Sequence, residues 1–571
     1  MITINATLGT GLYWRGGQVL EVGGALAVPL TFLLVGCLSW AVMQCISEML
    51  CIWPVPGALG VFVGEFVDEE LGIATSIAHW FTYAMSFSTL VPTAAGELDF
   101  WPGITGNRLV LGGVIYFLIP VALLFVNLFK VETYGIFEVV SGSIKMLFLV
   151  TIAGILIAIN RGGKLLTTLL TKTAGPDNTG PIGIKYEDWS QATAFDKNAA
   201  GDSWFTALLM CISIATFAYV GVEVVAASAL EAEINEKPSN NAPFSRSKRL
   251  HVMNSTVKFS AIYIPVITTV GYTISGLLAS LDMKRNNCGL PKPTWLSIPY
   301  DALSNCTGDG TTDGSRSVFV LIAADSHIPH LDDVVNFFLV FTCLTANSTN
   351  LYIASRALFG LASRLDEESA GRWHLRFFAW FGTTNSNRVP VRALVFSAAA
   401  FGWIPFLQLI HGIDATSGFI EILGEMASVS TLIVWACECL AFIRFYNCVR
   451  RHRKYIELQD VPLVQRWSED PEKYPEYPYR SIGQPYLAYF ALAACLFVLL
   501  ISNGATLWNG FHWLSFLSSY LTILAFLGLW ILLKLERAAS WSFVNLSEEI
   551  QVVAKLRGLN RFRASLAQSQ G

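Results

Sequence analysis

Three ionisable residues lie deep inside apolar stretches of the sequence, where a charge is costly. A lysine or an acid at the middle of a membrane costs about 2.5–3.5 kcal/mol on insertion scales, so such a residue normally faces a cavity or a partner. Glu138 and Lys145 share one helical face, two turns apart, which is too far for a direct ion pair but suits a proton path. Desolvation disfavours a charged amine. Lys145 is therefore interpreted as a proton carrier, and the alternative is a structural lysine bound to backbone carbonyls.

Glycines interrupt the first apolar stretch of the chain. Gly9, Thr10 and Gly11 lie in its interior, where each glycine weakens a helix by about 1 kcal/mol relative to alanine. Unwound backbone in a bilayer is tolerated only where it is buried in protein or lines a cavity. A break here would point free N–H groups and a positive helix end at that cavity, which suits a carboxylate. The alternative is a small-residue face for helix packing.

A second interruption is predicted at Gly221, in another apolar stretch. Phe217 and Tyr219 place aromatic surface beside it. Glu223 follows as an acid in an apolar run and needs a partner or a water-filled cavity.

Only a set of membrane helices can position these residues. The chain is 53% hydrophobic and 14% charged, with a mean hydropathy of +0.50, whereas soluble domains have about 25% charged residues. A run of about 20 apolar residues crosses a bilayer. We count twelve, numbered here as spans 1 to 12: 1–20, 25–50, 72–98, 109–128, 136–159, 203–230, 256–281, 333–356, 390–411, 418–446, 486–502 and 513–534. The predicted fold class is an all-α polytopic membrane protein.

The two interruptions occupy matching places in the order of the spans. Spans 1 and 6 each begin a set of five, and such matching is the best sequence indication of a transporter built from inverted repeats. The repeat is inferred from spacing alone, because the two halves show no similarity at the level of residues. The correspondence favours a binding site at Gly9–Gly11 over a packing face.

Basic residues indicate the orientation of the chain. Clusters of Arg and Lys follow spans 6, 8 and 10 and recur after span 12. The positive-inside rule makes this side cytoplasmic, so both termini are predicted to be cytoplasmic. The tail 535–571 carries an apolar stripe beside basic residues, which is typical of an amphipathic helix lying in the membrane interface: the stripe is Leu546, Ile550, Val553 and Leu556, and the basic residues are Arg557, Arg561 and Arg563.

An ordered set of motifs resembles the fungal amino-acid permeases of the amino acid–polyamine–organocation superfamily. The resemblance covers nearly the whole chain. Each motif alone is a weak indicator of the family, but the whole set occurs in the family's order and spacing and is a strong one. The motifs are Thr7–Leu12 with Gly23-Gly24, Ser47-Glu48-Met49, Pro56-Gly57, Phe66–Asp68 with Leu71-Gly72, Glu138 and Lys145, Phe217–Glu223 with Ala229–Ala232, and Asn347–Arg356 with Gly360–Ala362.

The resemblance implies ten core spans in two inverted repeats, with broken helices 1 and 6, plus two peripheral spans. The repeats would occupy about 1–159 and 203–446 and the peripheral helices 486–534, so that residues 1–534 form one permease domain. It also implies proton-driven uptake of amino acids by alternating access, across the plasma membrane. No cofactor, metal or nucleic acid is implied, and the candidate partners are trafficking or ubiquitin-ligase adaptor proteins.

The resemblance also assigns roles to residues. Backbone N–H groups of Gly9–Gly11 would hold the substrate carboxylate, carbonyls near Ala218–Gly221 would receive the ammonium, and Phe217 would close over the substrate. Lys145 would stand where sodium-coupled relatives place a cation. The predicted substrate-binding residues are Thr7, Gly9, Thr10, Gly11, Phe217, Ala218, Tyr219 and Gly221, and those for proton coupling are Lys145, Glu138 and Glu223.

Some features depart from the family pattern. The family usually has a long cytoplasmic segment before span 1, whereas this sequence begins with span 1 itself. Span 10 carries Glu421 and Glu425, one turn apart. They are interpreted as a pair in water at the outer interface rather than as a pocket for a cationic side chain, so neutral or broad-range amino acids are the expected substrates.

An enzyme and an amino-acid sensor are the two alternative classes of function. An enzyme is disfavoured because the eight histidines form no ligand spacing. An amino-acid sensor of permease fold is the main alternative, although such receptors tend to carry long signalling tails. The outer loop also holds Cys288 and Cys306, which could pair, and a glycosylation sequon at Asn305.

Overall fold

The structure, a computed structural model, places long apolar helices where the sequence predicts spans. It describes residues 1–9, 11–101, 106–160, 189, 191–225, 246–287, 289–293, 317–326, 328–365, 373–385, 387, 389–411, 413–467 and 477–569. The predicted features at Cys288, Asn305 and Cys306 lie outside these residues, as does Thr10.

Ten helices in this part of the chain are long and apolar enough to cross a membrane, and they coincide with spans 2 and 4 to 12. All regular elements of the described residues are helical, which agrees with the predicted class. The ten helices are Ala27–Ile52, Val110–Asn127, Val131–Asn160, Trp204–Val224, Val257–Asp282, Leu331–Ser363, Val391–Ile410, Gly418–Arg451, Tyr486–Leu507 and Trp513–Arg537.

Span 1 is divided into short pieces. A helix runs from Ile2 to Thr7, a π-helical turn covers Gly11–Arg15, and a second helix runs from Gly16 to Gly23. The helix of span 3 begins at Glu69 and ends at Leu98, and the Asp68 carboxylate caps its start by accepting from the Leu71 N–H.

Shorter helices connect or flank the spans. They are Ala58–Phe66, Lys197–Ala200, Val318–Asp325, Trp373–Ala379, Arg453–Leu458 and Glu549–Ser569.

Span 6 is interrupted as well. Its α-helix ends at Thr216 and is followed by two 3₁₀ turns, Phe217–Tyr219 and Val222–Val224. Gly221 separates the turns with a φ of 113°, a backbone conformation that residues with a Cβ rarely adopt.

Spans 2 and 7 pack together, and span 3 packs against spans 8 and 10. Other helix faces leave large apolar side chains uncovered, as at Phe117, which is 61% exposed, and Leu147, which is 69% exposed. Uncovered apolar side chains of this size are normal where lipid is the solvent.

The C-terminal tail packs on the protein, which corrects the prediction of an interfacial helix. Val553 and Leu556 are buried, whereas Ile550 of the predicted stripe is 73% exposed. The Val544 N–H donates to the Val67 carbonyl at 2.9 Å, and the Trp53 indole donates to the Asn560 side chain at 2.8 Å. The apolar face of the helix is therefore used for protein contacts rather than for lipid.

The tail and the segment before span 11 cover the same end of the helix bundle, which we call the terminal face. Glu48, fully buried at the end of span 2, accepts from the Tyr477 hydroxyl at 2.6 Å and from the Ser481 N–H at 2.9 Å. Burial alone would raise the pKa of the Asp68 carboxyl, but hydrogen bonds from Lys534, Trp530 and the Leu71 N–H lower that pKa. The Asp68 contact therefore stabilises the fold at neutral pH and is lost in acid.

Candidate functional site

The two helix breaks touch each other. A Cβ added at Gly11 would lie 2.5 Å from the Ala218 Cα, and one added at Gly221 would lie 2.8 Å from the Ala6 Cβ. Real Cβ atoms do not approach so closely, so each glycine allows its own break to approach the backbone of the other span. Of the predicted residues, the structure thus brings Gly11 of span 1 against Ala218 of span 6, and Gly221 of span 6 against the helix that ends at Thr7.

The other predicted residues of span 1 contribute backbone groups. The Gly9 N–H donates to the Thr7 carbonyl at 2.7 Å, and the Tyr272 hydroxyl of span 7 donates to that same carbonyl. The Thr7 hydroxyl donates to the Thr3 carbonyl at 2.8 Å. Each of these three groups of Thr7 and Gly9 therefore has a hydrogen-bond partner in the structure.

A polar cluster lies before the break, and we call it the amino-side cluster: Asn5, Tyr134, Glu138, Ser141, Lys145 and Thr349. Its centre is the Glu138 carboxylate, which is fully buried. That carboxylate accepts from the Tyr134 hydroxyl at 2.5 Å, from the Thr349 hydroxyl at 2.9 Å and from the Asn5 amide at 2.6 Å. Donors from spans 1, 5 and 8 thus pair with this buried carboxyl group.

Lys145 belongs to the same cluster but binds the backbone. Its Nζ donates to the Asn5 carbonyl at 3.0 Å, and its side chain is buried. Lys145 and Glu138 therefore both contact the same residue of span 1, Asn5.

A charged cluster lies after the break, and we call it the carboxyl-side cluster: Arg15, Gln18, Phe217, Glu421 and Glu425. The Arg15 guanidinium lies 2.7 Å from a Glu425 oxygen and 3.2 Å from a Glu421 oxygen. It also lies 4.9 Å from the centre of the Phe217 ring. The cluster joins spans 1, 6 and 10.

The carboxyl-side cluster corrects the prediction for the two glutamates. The sequence predicts that Glu421 and Glu425 lie in water at an interface. Their side chains are instead buried, with 12% and 5% of the side-chain surface exposed. The prediction failed because it considered span 10 alone, whereas a cation on span 1 compensates both acids.

Glu223 lies in a separate set of contacts. It accepts from the Tyr83 hydroxyl at 2.5 Å and from the Trp435 indole at 3.2 Å. The Tyr219 hydroxyl donates to the Phe32 carbonyl at 2.6 Å, so it is engaged with span 2.

The amino acid permease family profile matches residues 1–544. The chain belongs to this family. A probable lysine/arginine permease of Candida albicans is 25% identical over 93% of this chain and 78% of its own length. The basic amino-acid permease of Saccharomyces cerevisiae is 24% identical over the same shares. A probable proline-specific permease of Schizosaccharomyces pombe is 24% identical over 95% of this chain and 84% of its own.

A crystal structure of a manganese transporter from Eremococcus coleocola aligns with 94% of each chain, at a TM-score of 0.48 and 11% identity.

Several polar residues of this amino acid permease were missed by sequence reasoning. Arg15 is the only charged residue of the stretch 1–20, and that isolation was a usable signal. Asn5, Tyr134 and Thr349 carried no comparable signal, because single polar residues are common in membrane helices and their partners come from distant spans.

Proposed function

We propose that this permease imports amino acids by proton symport with alternating access. The observation that supports this best is the direct contact between the breaks of spans 1 and 6, at Gly11 against Ala218 and at Gly221 against Ala6. In a secondary transporter, discontinuous helices supply free backbone groups to the substrate near the middle of the membrane. Spans 1 and 6 would separate to admit the substrate between them.

Roles for the substrate-binding residues follow from this arrangement. N–H groups of Gly9, Thr10 and Gly11 bind the substrate carboxylate, for which the Gly9 N–H exchanges its bond to the Thr7 carbonyl, and carbonyls of Ala218–Gly221 bind the substrate ammonium. Thr7 and Tyr219 position the two breaks through their hydrogen bonds to other spans. Phe217 covers the substrate on the side of the carboxyl-side cluster, where its ring lies beneath Arg15.

Proton coupling is assigned to buried ionisable groups. Lys145 and Glu138 both contact Asn5, so a change in their protonation acts directly on span 1. Glu223 contacts Tyr83 and Trp435 and would relay protonation to spans 3 and 10. Intramembrane ionisable residues commonly mark such proton relays.

Cationic amino acids are the substrate class that we infer. Two relatives are named for lysine, arginine or basic amino acids. The carboxyl-side cluster places two carboxyls, those of Glu421 and Glu425, around the Arg15 guanidinium. A cationic side chain entering beside Phe217 would meet these two carboxyls. In Glu421→Gln, uptake of lysine should fall relative to uptake of a neutral amino acid, and an unchanged ratio would contradict this assignment.

The organisation and location of the protein are part of the proposal. Residues 1–534 form one permease domain with inverted repeats at about 1–159 and 203–446 and peripheral helices within 486–534. The tail 535–571 and the terminal face are cytoplasmic, and the membrane is the plasma membrane. Trafficking or ubiquitin-ligase adaptors would meet the protein at that face.

The test of proton symport is accumulation of substrate in proteoliposomes with an imposed pH gradient. Lys145→Ala removes the titratable group and should abolish accumulation, while exchange of substrate across equilibrated membranes continues. Lys145→Arg stays charged and should block both processes. Lys130→Ala, at an exposed lysine just before span 5, is the matched control.

Accumulation by Lys145→Ala at the wild-type ratio and pH dependence would remove Lys145 from the mechanism. Concentrative uptake in a cell that lacks other permeases separates a carrier from a sensor, because a sensor binds substrate without accumulating it.

A further inference from the structure

We propose that Asn5 makes the position of the first half of span 1 depend on the protonation of Glu138 and Lys145. The inference rests on the proposed proton coupling and adds a positioning residue to it. Asn5 lies in the short helix Ile2–Thr7, which precedes the break and packs against span 5.

Asn5 is the point where this helix is bound to span 5. Its side-chain Nδ2 lies 2.6 Å from a Glu138 carboxylate oxygen, 2.9 Å from the Glu138 carbonyl and 2.7 Å from the Ser141 hydroxyl. Its backbone carbonyl accepts from Lys145. One fully buried residue therefore contacts both proposed proton carriers, through its side chain and through its backbone.

The chemistry of the amide makes these contacts sensitive to protonation. An amide nitrogen only donates hydrogen bonds, so its bond to an ionised carboxylate weakens when a proton occupies the same oxygen. A hydrogen bond to an ionised group is about twice as strong as one between neutral groups. Protonation of Glu138 and deprotonation of Lys145 would each weaken the attachment of the helix Ile2–Thr7 to span 5.

The oxygen of the Asn5 amide differs from its nitrogen in having no partner in the part of the chain that the structure describes. Asn5 Oδ1 is buried and has no hydrogen-bond partner among the described residues, and buried polar atoms are normally paired. If the amide rotated by half a turn, Oδ1 would face Glu138 and accept from its protonated carboxyl. The Asn5 amide can thus donate from Nδ2 to an ionised Glu138 carboxylate or accept through Oδ1 from a protonated Glu138 carboxyl.

Other ionisable groups lie around this contact and belong to the same titration. Tyr134 is on span 5, its ring stacks on that of Tyr352 of span 8, and Cys343 of span 8 faces Lys145. Asn5 is distinct from all of them because it belongs to the helix that is held.

The experiment compares Asn5→Ala, Asn5→Ser and Gly142→Ala in proteoliposomes, each normalised to reconstituted protein. Removing the amide should lower the accumulation ratio at least tenfold and flatten its pH dependence, while exchange persists. Serine is too short to span the acceptors and should behave as alanine does. Gly142→Ala is the matched control, because a Cβ there meets both amide atoms at 3.6 Å, an ordinary contact distance, without adding a polar group.

A second readout reports the helix directly. Thr3→Cys places a buried thiol in the short helix, and its labelling by a membrane-permeant maleimide is measured at pH 5.5 and 7.5 against the protein without this substitution. Labelling should depend on pH when Asn5 is present, and the dependence should disappear in Asn5→Ala.

The outcomes separate the inference from the proposed function. Wild-type accumulation and pH-dependent labelling in Asn5→Ala, with accumulation lost in Lys145→Ala, would overturn the role of Asn5 and leave proton symport standing. Wild-type accumulation in both Lys145→Ala and Glu138→Gln would overturn the proposed coupling itself.

Discussion

The amino-side and carboxyl-side clusters hold the same span on opposite sides of its break, but with different chemistry. In the amino-side cluster, neutral hydroxyl and amide groups surround Glu138, and Lys145 binds a carbonyl. In the carboxyl-side cluster, Arg15 pairs with two carboxyls, Glu421 and Glu425. The donors of the first attachment are neutral groups around one carboxylate, whereas the second attachment joins a guanidinium to two carboxyls. We therefore expect the first to respond to the protonation of the groups proposed for coupling and the second to respond to charged substrates.

The largest predicted effect is on the carboxyl-side cluster. Arg15→Ala leaves two buried acids without their cation, and removing one partner of a buried ion pair costs about 3–5 kcal/mol. Thermal unfolding of the purified protein measures the loss. Arg537→Ala is the control, because the side chain of its partner Glu69 is 54% exposed and such pairs contribute about 0.2–1 kcal/mol. Equal stability of the two variants would show that Arg15 contributes little.

Next in size is the contact that separates the two clusters. Gly11→Ala places a methyl group 2.5 Å from the Ala218 Cα, and overpacking of this kind costs about 1–3 kcal/mol. Gly9→Ala meets the Ala346 Cβ at 3.4 Å and the Ala6 and Thr7 carbonyl oxygens at 3.8 and 4.0 Å, all ordinary contact distances, and should fold nearly as well as the wild type. The yield of monodisperse protein compares them, and the prediction fails if both variants fold equally well.

A smaller effect is expected at Phe217, which connects the carboxyl-side cluster to the break. Phe217→Ala removes the ring beneath Arg15, a contact of about 0.5–2 kcal/mol, and should weaken apparent affinity and allow bound substrate to leak. Tyr219→Phe keeps its ring and loses the hydrogen bond that the hydroxyl donates to the Phe32 carbonyl, so retention should be normal. Unchanged affinity and retention in Phe217→Ala would make this residue a packing residue.

The smallest effect lies in the amino-side cluster. Ser141→Ala removes one acceptor of the Asn5 amide and should cost about 0.5–1.5 kcal/mol. Ser143→Ala is matched to it, because both serines donate to the carbonyl four residues earlier at 2.7 Å and Ser143 is exposed. A difference in unfolding temperature between the two variants isolates the contact with span 1, and equal temperatures would assign it no stability.

The same comparison shows what could be predicted from the sequence. Breaks at Gly9–Gly11 and Gly221 were predictable because glycine within an apolar run acts on its own helix. Lys145 and Glu138 were found because a charge in lipid is costly wherever it stands.

Partnerships between spans could not be predicted in the same way. The pairing of Arg15 with Glu425 joins residues that are 410 positions apart, and that of Asn5 with Glu138 spans 133 positions. Periodicity within one helix carries no information about which other helix will face it. The prediction of an interfacial helix in the tail was wrong for this reason, because an apolar stripe that packs on protein has the same spacing as one that lies on lipid.

The docked tail bears on how the protein is made. Residues 549–569 are synthesised after every predicted span, yet they cover surfaces that emerge first, such as Trp53 at the end of span 2. Throughout synthesis that surface stays uncovered, and it closes only when the last helix arrives. The Trp53 indole N–H, for example, gains its Asn560 acceptor only after residue 560 has been made and its helix has docked.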